Sequence, residues 1–224
     1  MSDHVHIHPP EELTRSRGGP SGRERVLELV AAVLLSLATV GIAWSGYQAA
    51  KWSGLQSRSY AQASTARAQA NRASTLASQD RLQDLLNFNR WLEVSTGGNH
   101  TLAELYQRRF RPEFLPAFNA WQAQDPINNQ NATASPLNMP QYHLANATKA
   151  DALEKLGDQR FDQGKRATDH TDAYVLTTVF FATVLFFAGI STRFDWINLR
   201  IGVLVFATFV LSYAAFRIFT LPYL

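Results

Sequence analysis

The sequence predicts an all-α membrane protein with three transmembrane helices, and with a long extracytoplasmic antiparallel helical hairpin and a small aromatic helical cap between the first span and the second. Three observations predict it. Charged residues are missing from residues 29–50, 173–192 and 201–216, although the mean hydropathy of the whole chain is slightly negative, and a helix needs roughly 20 mostly apolar residues to cross a bilayer core of about 30 Å. Small residues recur at heptad spacing on the two stretches that flank the long gap between the first two apolar segments. Aromatic residues and prolines collect in the middle of that gap, at about residues 82–141.

Residues 1–24 place Pro9, Pro10, Gly18, Gly19, Pro20 and Gly22 among charges. Such a composition buries too little apolar surface to offset the entropy of ordering, so a disordered cytoplasmic tail is expected. His4, His6 and His8 alternate within it, a spacing that can present several imidazoles to a transition metal. A solvated tail is the competing reading, because no second group fixes those ligands; no other metal and no cofactor is expected. The first span, residues 25–50, is longer than the apolar core of a cleaved signal, about 7–15 residues, and carries Trp44 and Tyr47 where an interfacial aromatic belt belongs. It reads as an uncleaved anchor, with Ala32, Ser36, Thr39 and Ala43 as its packing face.

The second span is expected at 173–192, a cytoplasmic loop at 193–200 and the third span at 201–221. The third reaches spanning length if Arg217 snorkels toward the headgroups. Arg15, Arg17, Arg23 and Arg25 before the first span, and Arg193 and Arg200 after the second, place those segments inside and residues 51–172 outside.

Residues 48–91 contain no proline and one glycine, Gly54, which predicts one helix running on from the first span for roughly 60 Å or more at about 1.5 Å per residue. Ala63, Ala66, Ala70, Ala73 and Ala77 alternate at spacings of three and four along it, a coiled-coil seam made of methyl groups. Before the second span, Ala150, Gly157 and Gly164 recur at sevens, with Leu153 and Ala167 between them. Two small seams favour a close antiparallel pair, in which facing positions add to about 222 for regular helices. Arg58 then faces Asp162, Arg67 faces Glu154 and Asp158, and Arg72 faces Asp151. Exposed pairs of this kind set register more than stability.

Thr96-Gly97-Gly98-Asn99 should end the long helix. Beyond it, Leu82, Leu85, Leu86, Phe88, Trp91 and Leu92 are expected to bury against Leu102, Leu105, Tyr106, Phe110, Phe114, Leu115, Phe118 and Trp121 as the core of the cap. A loop over 126–140, rich in Asn, Gln, Ser and Pro, should wrap back over it.

Several function classes find no support. Without cysteine there is no disulfide, thiolate nucleophile or Cys-ligated metal. The net charge of +3 is small and scattered, which argues against nucleic acid. No nucleophile elbow, phosphate loop or histidine-glutamate metal helix occurs, and Glu28 and Arg217 lie at span ends, so no ion path is marked. His100, His143 and His170 are isolated. Asp151, Glu154, Asp158 and Asp162 share a helical stripe interleaved with Lys155, Arg160 and Arg166, which reads as a solvated face. The most concentrated chemistry is Arg108, Arg109, Phe110, Arg111 and Phe114, with Trp121 nearby. Guanidinium groups among aromatic faces could take an anion or a partner's acidic segment. In the competing reading the aromatics are buried in the cap and the arginines pair with Glu104 and Glu113 on its rim.

Trp44-Ser45-Gly46-Tyr47-Gln48-Ala49, then Arg109-Phe110-Arg111-Pro112-Glu113-Phe114 with Pro116-Ala117-Phe118, Ala120-Trp121 and Asp125-Pro126, then Met139-Pro140-Gln141-Tyr142, and Phe187-Ala188-Gly189-Ile190-Ser191 together resemble a family of uncharacterised bacterial multi-pass membrane proteins. The resemblance covers most of the chain from Val26 onward and implies the bacterial cytoplasmic (inner) membrane. It implies no activity and no catalytic residue, and the histidine-bearing tail lies outside it. The expected role is that of a non-catalytic interaction or accessory subunit, embedded in the lipid bilayer and joined to copies of itself or to another membrane protein. An extracytoplasmic ligand sensor signalling through a partner is the alternative, with a periplasmic enzyme or a transporter behind it.

Overall fold

The computed structural model describes residues 22–224, so the tail up to residue 21, with His4, His6 and His8, lies outside the described residues. Five α-helices follow one another: α1 (Gly22–Thr96), α2 (His100–Gln107), α3 (Leu115–Gln122), α4 (Ala145–Ser191) and α5 (Ile197–Thr220), with a 3₁₀ turn at Pro136–Asn138. No strand occurs among the described residues. Three of the helices, α1, α4 and α5, are long and apolar enough to cross a membrane, which makes this an all-helical membrane protein. Among the described residues the chain divides into two compact units, one of residues 22–53 and 169–224, the other of Gly54–Thr168.

In the first unit α1, α4 and α5 bury Ala31, Leu34, Ala38, Phe181, Val184, Ala188, Leu204, Ala207 and Ala214. Their other faces carry Leu29, Val33, Leu37, Val40, Val175, Val179, Phe186, Val205 and Phe209, all exposed, as lipid-facing helices require. The packing face of α1 is not the one expected. Ala31, Leu34, Ala38, Gly41, Ser45 and Gln48 point inward, whereas Ala32, Ser36, Thr39 and Ala43 are exposed. One residue turns a helix by about 100°, so neighbouring stripes part quickly. What selects the inner stripe is Gly41: a Cβ there would lie 2.6 Å from the Phe181 ring. The hydroxyls of Ser36 and Thr39 need no neighbouring helix, since each donates to the carbonyl four residues back, at 2.8 Å.

The connection before α5 is shorter than the expected loop, because Ile197, Asn198, Leu199 and Arg200 are already helical. Those 24 residues span about 36 Å at about 1.5 Å each, and Arg217 lies in the last turn, at the helix end where a basic side chain can snorkel. Arg200 is buried and reaches Glu28 on α1 at 3.9 Å. At the other boundary α1 starts at Gly22, so the last three residues given to the tail are helical.

In the second unit α4 runs back along α1. Ala63, Ala66, Ala70, Ala73 and Ala77 are all buried, as are Ala150, Gly157, Gly164 and Ala167 across from them. The approach is close: a Cβ on Gly157 would stand 3.0 Å from the Arg67 side chain and 3.5 Å from the Ala63 carbonyl, and one on Gly164 would stand 2.6 Å from the Tyr60 ring. Arg67 pairs with Asp158 at 3.0 Å, as the charge pattern predicts, and Asn146 donates to Asp80 at 2.8 Å; these two pairs add to 225 and 226, a little beyond the expected 222. Arg58 accordingly misses Asp162 and donates to the Gly54 carbonyl, at 3.2 Å, on its own helix.

This contact makes a prediction. Gly164→Val should destabilise the fold by about 1–3 kcal/mol, the usual cost of overpacking, because the Tyr60 ring has to move. Gly54→Ala, which meets nothing within 4 Å, should stabilise it by up to about 1 kcal/mol through helix propensity. Thermal unfolding followed by circular dichroism in detergent tests both signs together.

Candidate functional site

Gly98 takes a left-handed backbone, φ 78°, which stops α1 and turns the chain into the cap. Asn99 then caps α2, its side chain accepting from the Leu102 amide at 3.1 Å. Phe88 and Trp91 from α1 meet Phe110, Phe114, Phe118 and Trp121 in one buried cluster, closed by Leu137 and Met139. Rings meet edge to face: Trp91 on Phe118 with centroids 4.8 Å apart, Phe88 on Trp121 at 5.1 Å, Phe110 on Phe114 at 5.1 Å. The loop is pinned across them, with the Trp121 indole donating to the Thr133 carbonyl at 2.6 Å and the Thr133 amide donating to Gln124 at 2.8 Å.

Two expectations change here. Phe110, Phe114 and Trp121, proposed as partner contacts, are interior, so no partner can touch them without unfolding the cap. Leu82, Leu85 and Leu86, proposed as core, are 54%, 39% and 59% exposed. The inward positions of α1 are 77, 80, 84, 88 and 91, and helical geometry puts 82, 85 and 86 on the opposite side.

Arg111 is also turned inward, its side chain 14% exposed. It pairs with Asp80 at 3.0 Å, with Asp84 at 3.6 Å and with Glu113. Asp84 is fully buried and accepts from the Tyr142 hydroxyl at 3.0 Å. One guanidinium thus ties the segment after α2 to α1, while Tyr142 and Asn146 bring in the start of α4. Burial pushes the Asp84 carboxyl above its ordinary value of 3.8; the Tyr142 bond and the Arg111 charge oppose that, and Asp80 and Glu113 add to it. The Tyr142 phenol is pushed up too, by burial first and then by the Asp84 charge and bond. These groups form a joint, and no cluster suited to a metal occurs among the described residues. Arg108 stays exposed, 3.7 Å from Glu104, and Arg109 is exposed as well.

In the first unit the segment after α5 returns to α1 and α4. The Trp52 indole and the Tyr174 hydroxyl both donate to the Pro222 carbonyl, at 3.1 and 3.2 Å. The Gln48 amide meets Leu224 twice: its oxygen accepts from the Leu224 amide at 3.1 Å and its nitrogen donates to the Leu224 carbonyl at 3.5 Å. Beside them His170 lies against the Trp52 ring, centroids 4.4 Å apart.

Compared with protein-family models, curated proteins and solved structures, the chain matches none. Its function therefore has to be argued from the residues above.

The sequence held a signal for the two polar clusters that reading it for motifs missed. Asp80 and Asp84 continue the inward spacing of Ala73 and Ala77, and a carboxylate on an otherwise apolar seam requires a buried partner. Gln48 stands within a charge-free span, where a polar side chain faces protein and not lipid.

Proposed function

We propose that this chain is a non-catalytic accessory subunit of a bacterial cytoplasmic membrane, with its N-terminus inside and residues 51–172 outside, that docks a second membrane protein or a second copy of itself. The arginines at 23, 25, 193 and 200 support that orientation. The observation that carries the docking role is the exposed face formed by Leu82, Leu85 and Leu86. A single exposed leucine needs no account, but three within little more than a turn, backed by a rigid aromatic core, form the apolar centre of a contact patch. Arg108 and Arg109 supply cationic groups on the same unit, suited to an acidic partner surface.

Gentle extraction of the tagged protein from native membranes, with mass spectrometry of what accompanies it, tests this. A stoichiometric partner, or a self-oligomer, should be retained by the wild type and lost from Leu82→Gln/Leu86→Gln, and weakened in Arg108→Ala/Arg109→Ala. Retention unchanged in both variants sinks the reading. Cysteines introduced to trap a self-oligomer belong at positions 82 and 86, since Ala66 and Ala73 are covered by α4. A sensor role is the second reading, favoured by a groove of about 510 Å³ lined by Tyr60, Ser64, Arg67, Asn71 and Phe161. A small molecule that raises the unfolding temperature of the wild type, and not of Arg67→Ala, would support it.

A further inference from the structure

The hydrogen bonds at Gln48, Trp52 and Tyr174 have an unusual distribution. All four go to main-chain atoms of Pro222 and Leu224, while the side chains of the segment they hold face outward: Tyr223 is 80% exposed and Leu224 46%. The receiving groups are the opposite. Gln48 and Tyr174 are fully buried and Trp52 nearly so. A buried glutamine amide inside a span is costly unless both its donor and its acceptor are met, and here the main chain of one residue, Leu224, meets both. Leu221, at φ −82° and ψ 141°, already sets the chain in the extended form that such pairing needs. The carbonyl of a residue and the amide and carbonyl of the residue two further on are therefore recognised together, and no side chain enters the recognition.

We infer that Gln48, Trp52 and Tyr174 form a binding site for an extended peptide backbone, filled in the resting protein by the chain's own Pro222–Leu224, which can be exchanged for another extended peptide. The exchange follows from the balance of terms. Fixing the segment costs conformational entropy comparable to what its four hydrogen bonds return, and its side chains add little burial to tip the balance, Tyr223 being mostly exposed and Leu224 about half exposed. A competing strand makes the same four bonds, so its concentration decides the occupant. This site belongs to the first unit and is independent of the leucine face proposed above for docking.

The chain has no cysteine, so Tyr223→Cys gives one labelling position in the full-length protein. A spin label there should be immobilised in lipid nanodiscs. Adding millimolar acetyl-Leu-Pro-Tyr-Leu peptide should convert it to a mobile form in a saturable way, and the same peptide N-methylated at its last amide should not. Gln48→Leu should release the label without peptide, and Trp52→Phe with Tyr174→Phe should do the same while leaving an aromatic ring at each position. A label that is mobile in the otherwise wild-type chain, or that stays immobile with peptide present, overturns the inference. Immobility that survives in both sets of variants overturns it too, and unchanged helix content by circular dichroism excludes unfolding as the cause of release.

Discussion

Arg111→Met is expected to destabilise the unit of Gly54–Thr168 by about 3–5 kcal/mol at neutral pH, the range for removing one partner of a buried ion pair. The loss comes from what is left behind. Asp84 is fully buried, one of its oxygens already lacks a hydrogen-bond partner, and without Arg111 the Tyr142 hydroxyl is left to oppose the repulsion of Asp80 and Glu113. The same argument fixes a pH dependence. The folded-state value for Asp84 is raised above 3.8, and Arg111 is one of the causes that lower it, so the variant's value rises further. A carboxyl whose folded value is raised contributes its stability in the protonated form. That contribution is complete below 3.8 and is lost as pH climbs through the folded value. Urea unfolding monitored by pulse proteolysis of the full chain should therefore show the deficit shrinking as pH falls from 8 toward 5. Asp84→Asn combined with Arg111→Met should recover most of the loss at pH 8, since an amide there carries no charge to leave unpaired. A deficit independent of pH, or a double variant no better than Arg111→Met, would mean that Arg111 acts through packing and not through Asp84.

The contrast between Arg111 and the leucines shows which parts of this molecule the sequence discloses. Heptad spacing marks the faces of α1 and α4 that are buried, Ala63 to Ala77 on one and Ala150, Gly157 and Gly164 on the other, because residues three and four apart share one side of a helix. The apolar stretches of α1 and α4 are equally plain, since some twenty residues without a charge are what a bilayer core demands of a helix that crosses it. Within the first span, however, small residues lie on two adjacent stripes, and only the Phe181 ring on a distant helix selects Gly41 over Thr39. The cap was harder for a related reason. Leu82, Leu85 and Leu86 are as apolar as Phe88 and Trp91, and hydrophobicity alone sends all five inward. The carboxylates at 80 and 84 reveal the inward face, because they share the period of the alanines before them. Arg111 was legible as a cation beside Glu113 and not as a buried one: Asp80 and Asp84, which draw it inward, lie about thirty residues away in sequence, and no local spacing joins them to it.

Phe118→Ala is expected to cost about 3–5 kcal/mol, the range for removing a fully buried phenylalanine. Phe118 sits at the centre of the cap, completely buried, with ring centroids 4.8 Å from Trp91 and 4.9 Å from Phe110, both contacts edge to face. Such pairs add about 0.5–1.5 kcal/mol each beyond buried area. The damage should be local. Helix α3 has eight residues, too few to persist without tertiary contacts, whereas α1 and α4 pair along the alanine seam independently of the cap. Near-ultraviolet circular dichroism should lose the contribution of Trp91 and Trp121 and keep that of Trp52, while the far-ultraviolet signal falls only slightly. Proteolysis should then begin in the segment that Trp121 pins through Thr133. The variant also separates the two candidate contact surfaces, because Leu82 and Leu86 stand on α1 while Arg108 and Arg109 depend on the cap for their position. A partner retained by Phe118→Ala binds the leucine face, and a partner lost along with the cap requires the arginines. A loss of less than about 1 kcal/mol would show that the aromatic cluster is loosely packed, and would remove the rigid backing on which the proposed docking surface depends.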